Sequence, residues 1–214
     1  MPNSPSELPY CSLLSYASHP GTDEQKKSAA VTKDLKRNRQ YPSGGICEFV
    51  AKRILKHPAA FQGFFGAEVI AVPVPSSTRK QPGSLNVPLE LARTLKLAGL
   101  VGEIEDIVTR VRSLPKSATS DSKARSTAAD HFDSVIVAKP LLPASATLLL
   151  VDDVVTRGAT LMGVAWRLQQ AFPGAKILAF AAMRAITDAK DFKAILDPVS
   201  GKITLAGRYT KRRP

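Results

Sequence analysis

Leu148-Leu149-Leu150-Val151-Asp152-Asp153-Val154-Val155-Thr156-Arg157-Gly158-Ala159-Thr160 is the stretch on which the reading of this chain turns. Four consecutive apolar residues suit a strand buried on both faces. They run straight into two carboxylates, Asp152 and Asp153. In an open parallel sheet, ligands bind in the crevice beyond the carboxyl ends of the strands. Two adjacent acids in that position are placed to accept hydrogen bonds from a diol. Thr156, Arg157, Gly158, Ala159 and Thr160 then lead into Leu161, Ala165, Leu168 and Phe172, apolar residues at helical spacing. Gly158 lets backbone approach a ligand closely. The free N–H groups of a helix start, with the hydroxyls of Thr156 and Thr160, make an anion site suited to phosphate.

One strand–loop–helix unit therefore sets diol acceptors beside a phosphate cradle. A ribose 5-phosphate carries both groups at that separation. Two other phosphate motifs do not fit: a Rossmann fingerprint would put a glycine triplet here, and a P-loop would need Gly-Lys-Ser/Thr. An ordinary strand–turn–helix with acids near the helix start is the competing reading.

Working outward, the pattern alternates between strand and helix. Residues 177–182 read as another buried strand, and 68–72 as a third, stopped by Pro73 because proline cannot donate to a central ladder. Helices are expected over 46–57, with Ile46, Val50 and Ile54 on one face, and over 87–98, with Leu91 and Leu95 together. A charged, exposed helix is expected within 23–40, a turn at 42–45 and a short strand over 134–137. Residues 101–111 fit helix or strand. Alternation of this kind implies a parallel sheet with helices on both faces. Residues 1–20, rich in Pro and Ser, read as an irregular lead, and 112–130 as a long polar loop. The end, 201–214, carries Lys202, Arg208, Lys211, Arg212 and Arg213 and no acid, and reads as a short solvated basic tail.

Composition narrows the partners. Lys and Arg number 30 against 18 Asp and Glu, giving a net charge of +12. That balance favours an anionic partner, whether nucleic acid, an acidic surface or a polyphosphate, without choosing among them. Cys11 and Cys47 are too few for a disulfide framework or a four-cysteine zinc site, so a cytoplasmic location is expected. The first 20 residues lack the pattern of a signal peptide, and the apolar runs are too short for a membrane span. His19, His57 and His131 show no metal-ligand spacing. They read as surface or packing residues, and Trp166 as a core or rim residue.

The stretch 148–160 resembles the signature by which type I phosphoribosyltransferases bind 5-phosphoribosyl-1-pyrophosphate (PRPP), with agreement over thirteen consecutive positions. That resemblance implies an α/β fold with a central, mostly parallel sheet flanked by helices, a small hood and a flexible loop. It places Asp152 and Asp153 on the ribose hydroxyls, and Val155, Thr156, Arg157, Gly158, Ala159 and Thr160 around the 5-phosphate. The loop after the strand ending at Val72 would hold pyrophosphate, with Ser76, Ser77, Thr78, Arg79 and Lys80 offering hydroxyls, backbone N–H groups and cations. A solvated surface loop would have similar composition. The loop 112–130 would be the lid that excludes water, bringing Lys123 and Arg125 to the reaction. Mg²⁺ is the implied cofactor, held through PRPP with Asp152 or Asp153 and without a dedicated protein cage.

A second resemblance, to the competence protein ComF branch of this fold, is carried by Val72-Pro73-Val74-Pro75, Arg79, Lys80, Asn86 and Leu91-Ala92-Arg93. The cysteine-rich zinc ribbon of that branch has no counterpart here. The implied organisation is a basic N-terminal segment contributing to the hood (1–60), the phosphoribosyltransferase core (61–183), and a C-terminal hood with a basic tail (184–214). The implied activity is transfer of 5-phosphoribosyl to an acceptor, expected to be a nitrogen, with release of pyrophosphate. The alternatives are a PRPP sensor that no longer turns over and a ComF-like accessory protein acting with nucleic acid. A homodimer is compatible with the chain.

Overall fold

The computed structural model of the chain describes residues 5–78, 83–114 and 126–213. It opens with strand β1 (Glu7–Ala17), helix α1 (Asp23–Lys36), the short pair β2 (Gln40–Tyr41) and β3 (Gly44–Gly45), and helix α2 (Ile46–Ile54). Strand β4 (Gly66–Pro73), helix α3 (Val87–Leu97) and strand β5 (Val101–Ile104) follow. Next come β6 (Val108–Arg110), the short helix α4 (Ala128–Asp133) and β7 (Val135–Val137). The remainder is β8 (Thr147–Val155), α5 (Ala159–Ala171), β9 (Lys176–Ile186), β10 (Leu196–Ala206) and β11 (Tyr209–Arg213).

Seven strands form one sheet in the order β11-β10-β1-β9-β8-β4-β5. Pairing is parallel from β1 through β9, β8 and β4 to β5, and antiparallel from β1 to β10 and from β10 to β11. The architecture is thus α/β, with a central, mostly parallel sheet. Its two faces are sorted by the alternation of β8. Leu149 and Val151 pack with Val50, Ile54, Leu91 and Leu95 of α2 and α3. Leu148 and Leu150 pack with Leu161, Val164 and Leu168 of α5. A strand covered on both sides can afford no polar residue until it leaves the helices, which is where Asp152 and Asp153 stand.

Connectivity sets the position of the crevice. From β4 the chain passes through α3 to β5 on one side of β4, and from β8 through α5 to β9 on the other side of β8. Since β4 and β8 are neighbours, the connections diverge between them, and the gap beyond their carboxyl ends is a topological switch point. Thus β8 delivers Asp152 and Asp153, and the segment after β4 delivers Pro75 and Ser76, to the same end of the sheet.

Several expectations need correction. Residues 7–17 are not an irregular lead: β1 lies inside the sheet between β10 and β9. Its proline is tolerated because Pro9 pairs with Lys202 of β10, whereas pairing with β9 begins only at Tyr10, so its missing N–H breaks no second ladder. The basic end is not a free tail, since 209–213 form the edge strand of the same sheet. Residues 101–111, which fitted helix or strand, make two strands, β5 and β6, of which β6 pairs with β7 in a separate ribbon. Strand β8 continues through both acids to Val155, and β4 includes Pro73. The sheet therefore reaches beyond 61–183 at both ends of the chain.

Candidate functional site

Strand β8 carries its two acids to the sheet end half-buried, each tied to the backbone that follows. The Asp153 N–H donates to Asp152 Oδ1 at 2.8 Å, and the Val154 N–H to Asp153 Oδ1 at 2.7 Å. These bonds aim the carboxylates and leave lone pairs on each for a ligand. Burial, and then the neighbouring charge of Asp153, push the Asp152 carboxyl well above the ordinary carboxylate range. The pair is an electrostatic spring: it holds negative charge at a cost that a cation or hydroxyl donors would relieve.

After Val155 the chain turns through Thr156 and Arg157 to Gly158, which adopts φ +89° and leaves the helix without a side-chain cap. The first bond of α5 runs from the Met162 N–H to the Gly158 carbonyl at 2.9 Å. The N–H groups of Ala159, Thr160 and Leu161 therefore lie ahead of the helix's own ladder, the condition under which a helix start binds anions. Glycine at 158 has a structural cause independent of any ligand. Its positive φ disfavours other residues, and a Cβ there would stand 2.6 Å from Ile203 Cδ1 of β10.

Thr160 is not free in the described structure. Its hydroxyl lies 3.3 Å from Nε2 of His131 on α4. That histidine is buried, and desolvation, reinforced by Arg110, lowers its pKa to about 4, so it is neutral at physiological pH. The close approach of α4 to α5 depends on Gly163, where a Cβ would meet the Ala128 carbonyl oxygen at 2.4 Å. His131 is thus the packing residue expected from sequence, with an added role in holding Thr160.

On the β4 side, the Val74 N–H donates to the Val151 carbonyl at 2.9 Å, which keeps the loop alongside β8 one residue before Asp152. The Ser76 hydroxyl donates to the Thr78 carbonyl at 2.6 Å, and the Ser77 carbonyl accepts from the Leu114 N–H at 2.8 Å. Ser76, Ser77 and Thr78 therefore lie in an organised loop, partly spent on holding their own turn. Arg79, Lys80, Lys123 and Arg125 lie outside the described residues.

The residue that fastens this loop was not expected. Arg110, at the end of β6, is buried, with 6% of its surface exposed. It donates to the carbonyls of Ser76 (2.8 Å) and Pro75 (3.2 Å) and to the Ser134 hydroxyl. Burial lowers its pKa while the charge of Asp152 acts the other way. Arg110 thus brings a fixed positive charge to the crevice. A cleft of ≈ 290 Å³ opens beside it, lined by Ser76, Thr78, Asn86, Asp106 and Thr109 among others. Burial also raises the Asp106 carboxyl.

Arg212 was likewise missed. From the edge strand it donates to the carbonyl of Thr156 (3.0 Å), the hydroxyl of Tyr10 (3.1 Å) and the carbonyl of Ala185 (2.6 Å). It braces the loop that leads into α5. The only sequence signal was its place in a basic run, which marks solvated charge far more often than a brace.

Among the described residues no group of three or more His, Cys, Asp or Glu side chains is placed to hold a metal ion. No helix among them is long and apolar enough to cross a membrane. Asp152 and Asp153 do offer hard oxygen donors that fit a Mg²⁺ keeping most of its ligands from water and phosphate.

No protein-family model matches the chain, and no curated protein matches it. Several solved structures are similar to it. An adenine phosphoribosyltransferase is 18% identical, covering 72% of this chain and 89% of that one, with a TM-score of 0.38. The adenine phosphoribosyltransferase of Saccharomyces cerevisiae is 16% identical, covering 74% and 98%, with a TM-score of 0.37. A hypoxanthine phosphoribosyltransferase from Staphylococcus aureus is 14% identical, covering 78% and 80%, with a TM-score of 0.32.

Proposed function

We propose that this chain binds PRPP and transfers its 5-phosphoribosyl group to an acceptor, a nitrogen nucleophile, with release of pyrophosphate. The observation that supports it most is the union at one switch point of the Asp152–Asp153 pair with the uncapped start of α5. The acids accept from the two ribose hydroxyls, and the N–H groups of the first turn of α5 bind the 5-phosphate. Pyrophosphate lies toward Ser76 and Thr78, whose loop Arg110 holds.

The C1–O bond to pyrophosphate breaks with its electron pair leaving on pyrophosphate. The acceptor nitrogen's lone pair forms the new bond at C1, and the nitrogen loses its proton. Positive charge develops at C1 and the ring oxygen, and negative charge on the acid pair nearby favours it. Mg²⁺ bound through the substrate, with Asp152 or Asp153, would neutralise the departing pyrophosphate. No covalent nucleophile is required; positioning and fixed charge do the work. Lys123 and Arg125, in the lid of the resembled fold, would then meet the pyrophosphate on closure.

The organisation into a core with hood elements, and kinship with the ComF branch, belong to the same proposal. Asn86, one residue of that second resemblance, lines the cleft beside the loop. The test is release of pyrophosphate from Mg-PRPP in the presence of a panel of purine, pyrimidine and amine acceptors. Release that depends on one acceptor is expected. Saturable PRPP binding with no release from any acceptor would instead make the chain a sensor.

A further inference from the structure

We propose that Thr210, on the C-terminal edge strand, is a direct ligand of the substrate's phosphate monoester, so that the β10–β11 hairpin forms the second wall of the phosphate cradle. This rests on the reading of 156–160 as the site of the 5-phosphate. Nothing in the resemblance to phosphoribosyltransferases assigns a role to this strand.

Thr210 is 5% exposed, and its Oγ1 is buried with no hydrogen-bond partner among the described residues. Folded chains leave few such hydroxyls unpaired, and each one calls for a cause. Here Thr210 is among the residues that line a small hollow at the start of α5, with Thr127, Thr156, Arg157, Ala159 and Tyr209. The hollow measures ≈ 20 Å³, room for one oxygen-sized group. No carboxylate lines it, and Arg157 stands exposed at its edge. A phosphate oxygen fits that description: it accepts from the Thr210 hydroxyl, while the rest of the group meets the N–H groups of α5 at the mouth.

The hairpin is positioned for this by contacts on either side of Thr210. Thr210 pairs with Leu205 across the hairpin, and Ile203 of the same ribbon packs against Gly158. Arg212 lies two residues on, hence on the same face of the strand, and its Nε donates to the Thr156 carbonyl at 3.0 Å. Two nearby hydroxyls are already engaged. Thr127 donates to Asp130 Oδ2 at 2.8 Å, and Thr160 pairs with His131.

The experiment titrates ribose 5-phosphate into wild-type protein, Thr210→Val and Thr210→Ser, with thermal unfolding of each without ligand. Valine keeps the shape and removes the hydroxyl. We expect Thr210→Val to unfold at or above the wild-type temperature, because an unpaired buried hydroxyl is gone, and to bind ribose 5-phosphate about tenfold or more weakly, as for a lost hydrogen bond to a charged group. Thr210→Ser should recover most of that affinity. Equal affinity of wild type and Thr210→Val would overturn the ligand role, leave the PRPP reading standing and make the hollow a water site. Failure of the wild type to bind ribose 5-phosphate would overturn both.

Discussion

Asp152→Asn should raise the thermal stability of the free protein while weakening its hold on Mg-PRPP, and Asp152→Asn with Asp153→Asn should weaken that hold much further. The first half follows from linkage. A carboxyl whose folded-state pKa is raised binds protons on folding between its unfolded and folded values. Stability is therefore lost as pH rises through that window and stays lost above it. The Asp152 carboxyl is in this condition, from burial and the charge of Asp153. Asparagine abolishes the penalty, and each kcal/mol recovered corresponds to roughly 2–4 °C in a chain of this size. The second half follows from charge-assisted hydrogen bonds, each worth about 1.5–3 kcal/mol, so the double variant should lose affinity by roughly a hundredfold or more. For the same reason, wild-type affinity should climb with pH until Asp152 is fully ionised. Melting curves and calorimetry check both halves. A lower melting temperature in Asp152→Asn would contradict the electrostatic account of the site. Undiminished PRPP affinity in the double variant would remove the acids from it.

Arg212→Met is expected to cost about 3 kcal/mol or more in stability and to weaken phosphate binding, whereas Lys211→Met and Arg213→Met should each stay within about 0.5 kcal/mol of wild type. Position in the strand makes the difference. Lys211 and Arg213 are exposed on the edge strand, where charge guards against pairing with another chain. Arg212 serves three acceptors on the loop before α5, on β1 and on β9. Without it, the Thr156 and Ala185 carbonyls lose a donor. Denaturant unfolding of the three variants reads the contrast directly, and equal effects from all three would mean that the brace contributes nothing. One consequence touches the basic charge of the chain. Deleting 209–214 removes a strand of the sheet, so any loss of nucleic-acid binding in such a deletion reports damage to the fold before it reports a charged tail.

These variants also mark what could be read from sequence. The strand, turn and helix of 148–160 were legible because the sequence pattern and the structure coincide within thirteen residues. Leu148 to Val151 had to be buried on two faces, and only the end of such a strand admits two acids. Helices α2 and α3 were legible because each has one apolar face, and α5 because its apolar residues recur at helical spacing although it is buried on most sides. What escaped was everything whose meaning depends on a distant partner. Strand β1 hides behind Pro5, Pro9 and its serines. Ser12 and Ser15 are buried polar residues satisfied by Arg184 and by the Ala194 carbonyl, more than 170 residues away. Arg184 itself pairs with Asp197 across the β9–β10 connection. Arg110 sat in a segment of mixed periodicity, and its partners are backbone carbonyls, which leave no trace in composition. Thr210 and Arg212 stood in a run whose net charge concealed a strand with one buried face.

The central claim is that ribose, phosphate and pyrophosphate are bound by one continuous crevice between β4 and β8. Calorimetric titration of the wild-type chain with Mg-PRPP, set beside ribose 5-phosphate and Mg-pyrophosphate alone, tests it most directly. One-to-one binding of PRPP, tighter than either fragment by several orders of magnitude, is the predicted result, because joining two fragments that occupy adjoining sites makes the second contact intramolecular. PRPP that binds no more tightly than its better fragment, or does not bind, would contradict the account.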